Sequence, residues 1–207
     1  LTEQRVSLPF GDGLQLEGLF SREKDKGRGG VILCHPHPFY GGDMYNNVVE
    51  ALQAALAQKG FSTLRFNFRG AGGSEGGYSE GVAEAEDVQA AVAFVAGEGA
   101  DSLYLAGYSF GAYAGVRGVA GDDRVKALVC ISPPVAIYDF ASLRKEGRPK
   151  LIVTGKRDLI CPVSDVEKLF LSLPQPKALQ IVEGADHFWW GIEDRAVGYV
   201  IDFLQGL

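Results

Sequence analysis

Cysteine is scarce: the 207 residues contain three, Cys34, Cys130 and Cys161, far apart in the chain. An odd and widely spaced set makes no disulfide framework, so a reducing, cytoplasmic location is expected. Positive charge is short as well, with 20 Lys and Arg against 26 Asp and Glu, a net charge of -6 and no block of one sign. Phosphate binding requires clustered cations, so neither a nucleic-acid partner nor a membrane partner is expected. No stretch approaches the roughly 18 to 20 unbroken apolar residues that span a bilayer, and a soluble chain follows as the expectation. The start at Leu1 suggests trimming of the kind that removes a leader. A long linker and internal repeats are also missing, which leaves one domain over residues 1–207. The Gly-rich stretch Gly70 to Gly77 fails the dinucleotide spacing, because Glu75 stands where the third glycine is required. No cofactor is expected.

What is present is a regular alternation of elements. Gln4 to Phe10 and Leu14 to Phe20 read as two strands around Gly11-Asp12-Gly13, a hairpin signal. Apolar runs of strand length follow at Val31–Cys34, Phe61–Phe68, Ser102–Ala106, Val125–Ile131, Leu151–Thr154 and Ala178–Val182. Most are continuous, as in parallel strands covered on both faces. Between them lie segments of helical period, marked by Met44, Val48, Leu52 and Ala55, by Val88, Ala91, Val92 and Val95, by Val166, Leu169 and Leu173, and by Val197, Val200, Ile201 and Leu204. Ser164 and Glu167 have the spacing of a capping box just after Pro162. The expected fold is therefore α/β: a mostly parallel sheet of about eight strands, an N-terminal antiparallel hairpin and helices on both faces. Functional groups in such a fold gather beyond the carboxyl ends of the strands.

The pattern G-x-S-x-G occurs twice, as Gly72-Gly73-Ser74-Glu75-Gly76 and as Gly107-Tyr108-Ser109-Phe110-Gly111. A nucleophilic serine of this kind must sit where a strand turns sharply into a helix, with glycines relieving the crowding. Leu103 to Ala106 supplies the strand for Ser109 and Ala112 to Val119 the helix, whereas Ser74 lies in a flexible glycine-rich turn. A serine hydroxyl needs a base, and the base needs a partner to fix its tautomer. His187 follows the strand ending at Val182 and opens a loop before the last helix, which matches the chain order serine, acid, histidine. Asp158, past a Gly155-Lys156-Arg157 turn after the strand Leu151–Thr154, is the acid candidate. Asp139, Asp165 and Asp186 are weaker, since Asp165 falls in a first helical turn and Asp186 adjoins the histidine. An anion forming in acyl transfer needs two donors. The N–H of Phe110 is one, and because Pro36 and Pro38 have none, the N–H of His37 is the other, its ring being incidental.

Assembled in this way, the chain resembles the α/β-hydrolase superfamily over nearly its whole length. More narrowly it resembles the small, lidless bacterial serine hydrolases related to dienelactone hydrolase. His35-Pro36-His37-Pro38, the pair Gly41-Gly42 with Met44 and Asn46, and Arg69-Gly70-Ala71-Gly72-Gly73-Ser74 carry that likeness. The resemblance implies Ser109, Asp158 and His187 as a triad in a domain without a cap. Dienelactone hydrolases proper use cysteine as nucleophile, and Ser109 departs from them, so their lactone specificity is not carried over.

Only Ser132 to Lys150 separates the sixth strand from the seventh, too little for a lid, and an open cleft is expected. Phe39, Tyr40, Phe110, Pro134, Tyr138, Trp189 and Trp190 are candidates to line it, each with the competing role of filling the core. These features point to a carboxylesterase-like serine hydrolase of small esters. Two alternatives stand beside it: a metal-dependent hydrolase built on His35 and His37, which lacks an evident third ligand, and a hydrolase-like scaffold that binds a small molecule without turnover. Cys161 reads as a small buried filler.

Overall fold

The computed structural model describes residues 3–11, 13–23 and 28–207. Asp12 of the anticipated hairpin turn, and Leu1 and Thr2 at the start, lie outside the described residues. Gln4–Phe10 (β1) and Leu14–Ser21 (β2) pair antiparallel, Gln4 opposite Phe20 and Phe10 opposite Leu14. Gly30–Cys34 (β3), Ser62–Phe66 (β4), Leu103–Tyr108 (β5), Val125–Ile131 (β6), Lys150–Gly155 (β7) and Lys177–Val182 (β8) complete one sheet in the order β1-β2-β4-β3-β5-β6-β7-β8. Every pairing from β4 onwards across to β8 is parallel. This is the α/β-hydrolase fold.

Alternation within the central strands sorts their side chains to two faces. Val31 and Leu33 of β3, Tyr104, Ala106 and Tyr108 of β5, and Val129 and Ile131 of β6 pack against Asn47–Gln58 (α1) and Glu193–Gln205 (α6). Ile32, Leu105, Leu128 and Ile152 point the other way, against Glu84–Gly97 (α2), Phe110–Gly118 (α3) and Val163–Ser172 (α5). With both faces covered, each residue of β3, β5 and β7 is buried, which is why β3 and β5 run apolar without a break and β7 does so over Leu151 to Val153, between Lys150 and Thr154. Between β6 and β7 the chain forms only the short helix Ala141–Arg144 (α4).

Two local expectations are corrected. The helix α5 does start just after Pro162, but Pro162 itself is the cap residue and no side chain caps the helix. Ser164 lies two positions too far inside the helix for the capping box. The strand anticipated over Phe61–Phe68 shortens to β4, because the Phe61 N–H closes the end of α1 on Leu56 O and the chain turns after Phe66.

The register aligns the carboxyl ends of the central strands: Cys34 lies beside Gly107, Tyr108 beside Ile131, and Gly155 beside Val182. Helix α3 starts so close to β3 that a Cβ on Gly111 would lie 2.2 Å from Cys34 O, and one on Gly107 would lie 2.4 Å from Gly111 O. Gly111→Ala must displace backbone and should destabilise the protein by about 3 kcal/mol, at the upper end for overpacked interiors. Gly198→Ala, inside α6 with nothing within 4 Å of the added carbon, should stabilise by about 0.5 to 1 kcal/mol. Urea denaturation of the two variants checks the contrast, and a Gly111→Ala protein as stable as wild type would refute the close packing.

Candidate active site

Ser109 occupies the single residue between β5 and α3, at φ 54° and ψ -119°. A side chain rarely adopts that region of the backbone, and it persists here because neighbouring contacts fix it. The Ser109 N–H donates to Ile131 O at 2.8 Å, its carbonyl accepts from Ala112 N at 3.0 Å, and the two flanking glycines leave room for the turn. Four described non-glycine residues have positive φ: Ser109, Ser132, Trp189 and Glu80. The first three meet around one set of side chains.

The Ser109 hydroxyl lies 3.0 Å from His187 Nε2, and His187 Nδ1 lies 2.9 Å from Asp158 Oδ2. A carboxylate accepts, so Nδ1 carries the hydrogen and Nε2 offers its lone pair to the Ser109 O–H. The second oxygen of Asp158 accepts from the N–H groups of Cys161 (2.7 Å) and Ile160 (3.0 Å), which fixes the carboxylate plane. All three side chains are buried. The weaker acids are otherwise engaged: Asp139 pairs with Arg144, Asp165 with Lys168, and Asp186 accepts from the Phe188 and Trp189 amides. Ser74 is part of a turn, its hydroxyl donating to Asn67 O and accepting from Glu17 N.

Sequence reasoning missed the residues that hold the histidine loop. The Tyr108 hydroxyl donates to His187 O, and Asn47 Nδ2 donates to Phe188 O at 3.0 Å. Trp189 is fully buried, with its indole N–H donating to Ser132 Oγ at 3.1 Å. Trp189 is therefore a core residue under the site and not a wall of the cleft. Tyr108 carried a readable signal, since it sits at the second position of the elbow, but the partners of Asn47 and Ser132 are set by tertiary packing alone.

A cleft of about 510 Å³ opens over Ser109 and His187. Tyr40, Phe110, Pro134 and Tyr138 line it as expected, together with Ile137, Ile160 and Phe188, and no Asp, Glu, Lys or Arg is among its lining residues. Phe39 and Trp190 are exposed and stand outside it, which corrects the expectation for both. His37 and Phe110 line the cleft, and among the described residues neither backbone N–H meets an acceptor. The His37 ring packs among Tyr40, Tyr78 and Phe110, its Nδ1 accepting from Phe39 N and its Nε2 bonded to the Tyr78 hydroxyl at 2.8 Å. Burial holds this imidazole below its ordinary pKa.

The metal-dependent alternative on His35 and His37 is overturned by the same hydrogen bonds. His35 is fully buried, Nδ1 donating to Pro36 O at 2.6 Å and Nε2 accepting from Phe68 N at 3.0 Å, so neither nitrogen is free to ligate. Asp158, Cys161 and His187 bring possible ligand atoms within 4.8 Å of one another. There the Asp158 contacts just described, and the Cys161 thiol donating to Ser132 O at 3.1 Å, account for the arrangement. Burial, reinforced by Asp158, pushes the Cys161 thiol up, which keeps it the inert filler anticipated.

Residues 29–193 match the alpha/beta hydrolase domain family. The chain belongs to the α/β-hydrolase family. It is 34% identical to an uncharacterized protein of Rickettsia prowazekii, over 84% of this chain and 78% of that one. Among solved structures it is similar to an alpha-beta serine hydrolase homologue from Coxiella burnetii, at 36% identity and a TM-score of 0.89, covering 98% and 97% of the two chains. A lidless serine hydrolase from Xanthomonas campestris matches at 29% identity and a TM-score of 0.88, covering 98% and 94%. Fold and neighbours together support a hydrolase.

The buried His35 has a consequence for stability. Burial lowers its pKa from 6.5 to about 4, so between those values the unfolded chain takes up a proton that the folded chain refuses. Stability is lost as pH falls through that window, by about 3 kcal/mol in total. His35→Gln lacks this contribution, so its stability gap to wild type should narrow by about 2 to 3 kcal/mol between pH 7 and pH 4.5 in urea titrations. A constant gap would contradict the assignment.

Proposed function

We propose that this chain is a serine hydrolase of small, uncharged carboxylic esters that works through an acyl-enzyme on Ser109. The observation that carries this reading is the 3.0 Å contact between the Ser109 hydroxyl and His187 Nε2, with Asp158 behind the ring.

In the proposed reaction Ser109 Oγ attacks the ester carbonyl carbon while its proton passes to His187 Nε2. Asp158 keeps Nδ1 protonated and stabilises the imidazolium. The carbonyl oxygen becomes an anion between the N–H groups of Phe110 and His37. As the C–O bond breaks, His187 returns the proton to the leaving alcohol. Water, deprotonated by the same ring, then attacks the acyl group and releases a carboxylic acid with Ser109 restored. A cleft without charged side chains favours neutral substrates, and its openness favours a short acyl chain or an aromatic ester.

Wild type should be labelled by a fluorophosphonate and should turn over p-nitrophenyl esters fastest at short chain length. Ser109→Ala should lose labelling and at least about a thousand-fold in kcat. Failure of the wild type to label or to turn over any ester would favour the alternative of a binding protein.

The two-donor assignment has its own test, because His37 sits at φ -59°, a value proline adopts. His37→Ala removes the ring and keeps the N–H, whereas His37→Pro removes both. The proline variant should fall a further hundred-fold or so in kcat, about 3 kcal/mol, with KM little changed. Equal rates for the two variants would remove His37 from the oxyanion site.

A further inference from the structure

Tyr78 has no part in the proposed reaction, yet its side chain packs on both residues assigned to bind the oxyanion. Its ring centroid lies 4.8 Å from that of His37 and 5.7 Å from that of Phe110, and the His37 and Phe110 rings lie 5.1 Å apart. The three rings close a triangle and come from three segments: the loop after β3, the start of α3 and the glycine-rich loop between β4 and α2. The hydrogen bonds at its centre have a fixed sense. The Phe39 N–H can only donate, so His37 Nδ1, 3.2 Å away, presents a lone pair. Burial favours the neutral ring, so its one hydrogen sits on Nε2 and is donated to the Tyr78 hydroxyl at 2.8 Å. Tyr78 is held in turn by α2. The buried Glu84 carboxylate accepts from the Ser79 N–H at 2.7 Å and from the Gly81 N–H at 2.8 Å, and Asp87 accepts from the Arg69 N–H at 2.9 Å. Both ends of the glycine-rich loop are thereby tied to one helix.

We propose that Tyr78 is a positioning residue for the oxyanion site, fixing through the His37 ring the peptide whose N–H meets the developing anion; this rests on the assignment of that N–H as a donor. The bonds of the loop itself do not do this. Tyr40 N and Gly42 N donate to His37 O, and Gly41 N to Pro38 O, all within the same short stretch. They shape the loop without tying it to the rest of the site. Among the described residues, the bond from Nε2 to Tyr78 is the one hydrogen bond that joins His37 to another segment. An amide that is set in place before the reaction stabilises the anion fully, and one left to wander stabilises it less. The His37 ring, read from the sequence as incidental, thus carries the link, and the glycine-rich loop supplies the anchor.

The test compares Tyr78→Phe, His37→Asn and the double variant in turnover of p-nitrophenyl acetate and in inhibition by a short alkyl trifluoromethyl ketone. Ser109 Oγ adds to the ketone carbon as its proton passes to His187, and the carbonyl electron pair becomes an oxyanion in the place it takes during the reaction. Asparagine at position 37 keeps an acceptor for the Phe39 N–H but is too short for Tyr78, so both single variants lack the same bond. Each should lose about ten-fold in kcat and about ten-fold in ketone affinity, with KM within about two-fold. The double variant should lose no more than either single one. Ring nitrogen NMR shifts give a readout without chemistry. Of the three histidine rings, the one missing from His37→Asn should carry its hydrogen on Nε2, and that signal should move in Tyr78→Phe. Unchanged kcat and ketone affinity in Tyr78→Phe overturn the proposal. So do a loss confined to KM, losses that multiply in the double variant, or a ring hydrogen on Nδ1. A wild type that neither cleaves the ester nor binds the ketone counts against the ester-cleaving assignment, while an Nε2 hydrogen that responds to Tyr78→Phe still supports the anchoring of His37.

Discussion

The first turn of α3 lies against the carbonyl oxygens that end β3, a contact so close that only glycine fits at position 111. That approach forces the chain to reverse within one residue after Tyr108, and the residue that reverses is Ser109 at φ 54°. Two further features of the site follow from it. The Phe110 N–H, first in its helix, has no partner among the described residues, and Phe110 lines the cleft. The loop leaving β3 comes alongside, and His37 lines the same cleft. One packing contact between a helix and a strand thus sets the place of the hydroxyl, beside the two amides proposed as oxyanion donors.

The histidine is held by a different set of contacts, and they are almost all buried. Asp158 is fixed by two backbone amides, the His187 carbonyl by the Tyr108 hydroxyl, and Trp189 by Ser132. Unmade hydrogen bonds at such depth cost about 1 to 3 kcal/mol each, so the loop cannot drift without losing several at once. Positive φ at Ser132 and Trp189, as at Ser109, places backbone strain where the geometry is most constrained. Adjacent residues in the histidine loop point opposite ways, Trp189 to the core and Trp190 to the surface.

How much of this was legible in the sequence depended on whether a feature is local. The strands and long helices were readable because burial on both faces leaves continuous apolar runs and helical burial leaves a period. The elbow at Ser109 was readable because a strand and a helix flank it, and the same pattern at Ser74 lacks the helix. Chain order then pointed to His187 and Asp158, which the fold brings to hydrogen-bonding distance. Tyr40, Phe110 and Tyr138 line the cleft as read from the sequence, but the directions of Trp189 and Trp190 were not legible, since the two differ only in the direction set by one left-handed residue. The pairing of His35 with Phe68 was equally hidden, for Phe68 comes from beyond the end of another strand. A histidine spaced as if for a metal proved to be a satisfied core residue. The anticipated cap at Ser164 failed because Pro162 already provides the extended residue that begins the helix.

The central claim is that Ser109 Oγ, its histidine and two backbone amides converge on one carbonyl. A crystal structure of the protein inactivated by a dialkyl fluorophosphate measures this convergence directly. Phosphorus should be bonded to Ser109 Oγ, with the phosphoryl oxygen within hydrogen-bond reach of the Phe110 and His37 nitrogens. Phosphorus on another side chain, or a phosphoryl oxygen turned away from both amides, would contradict it.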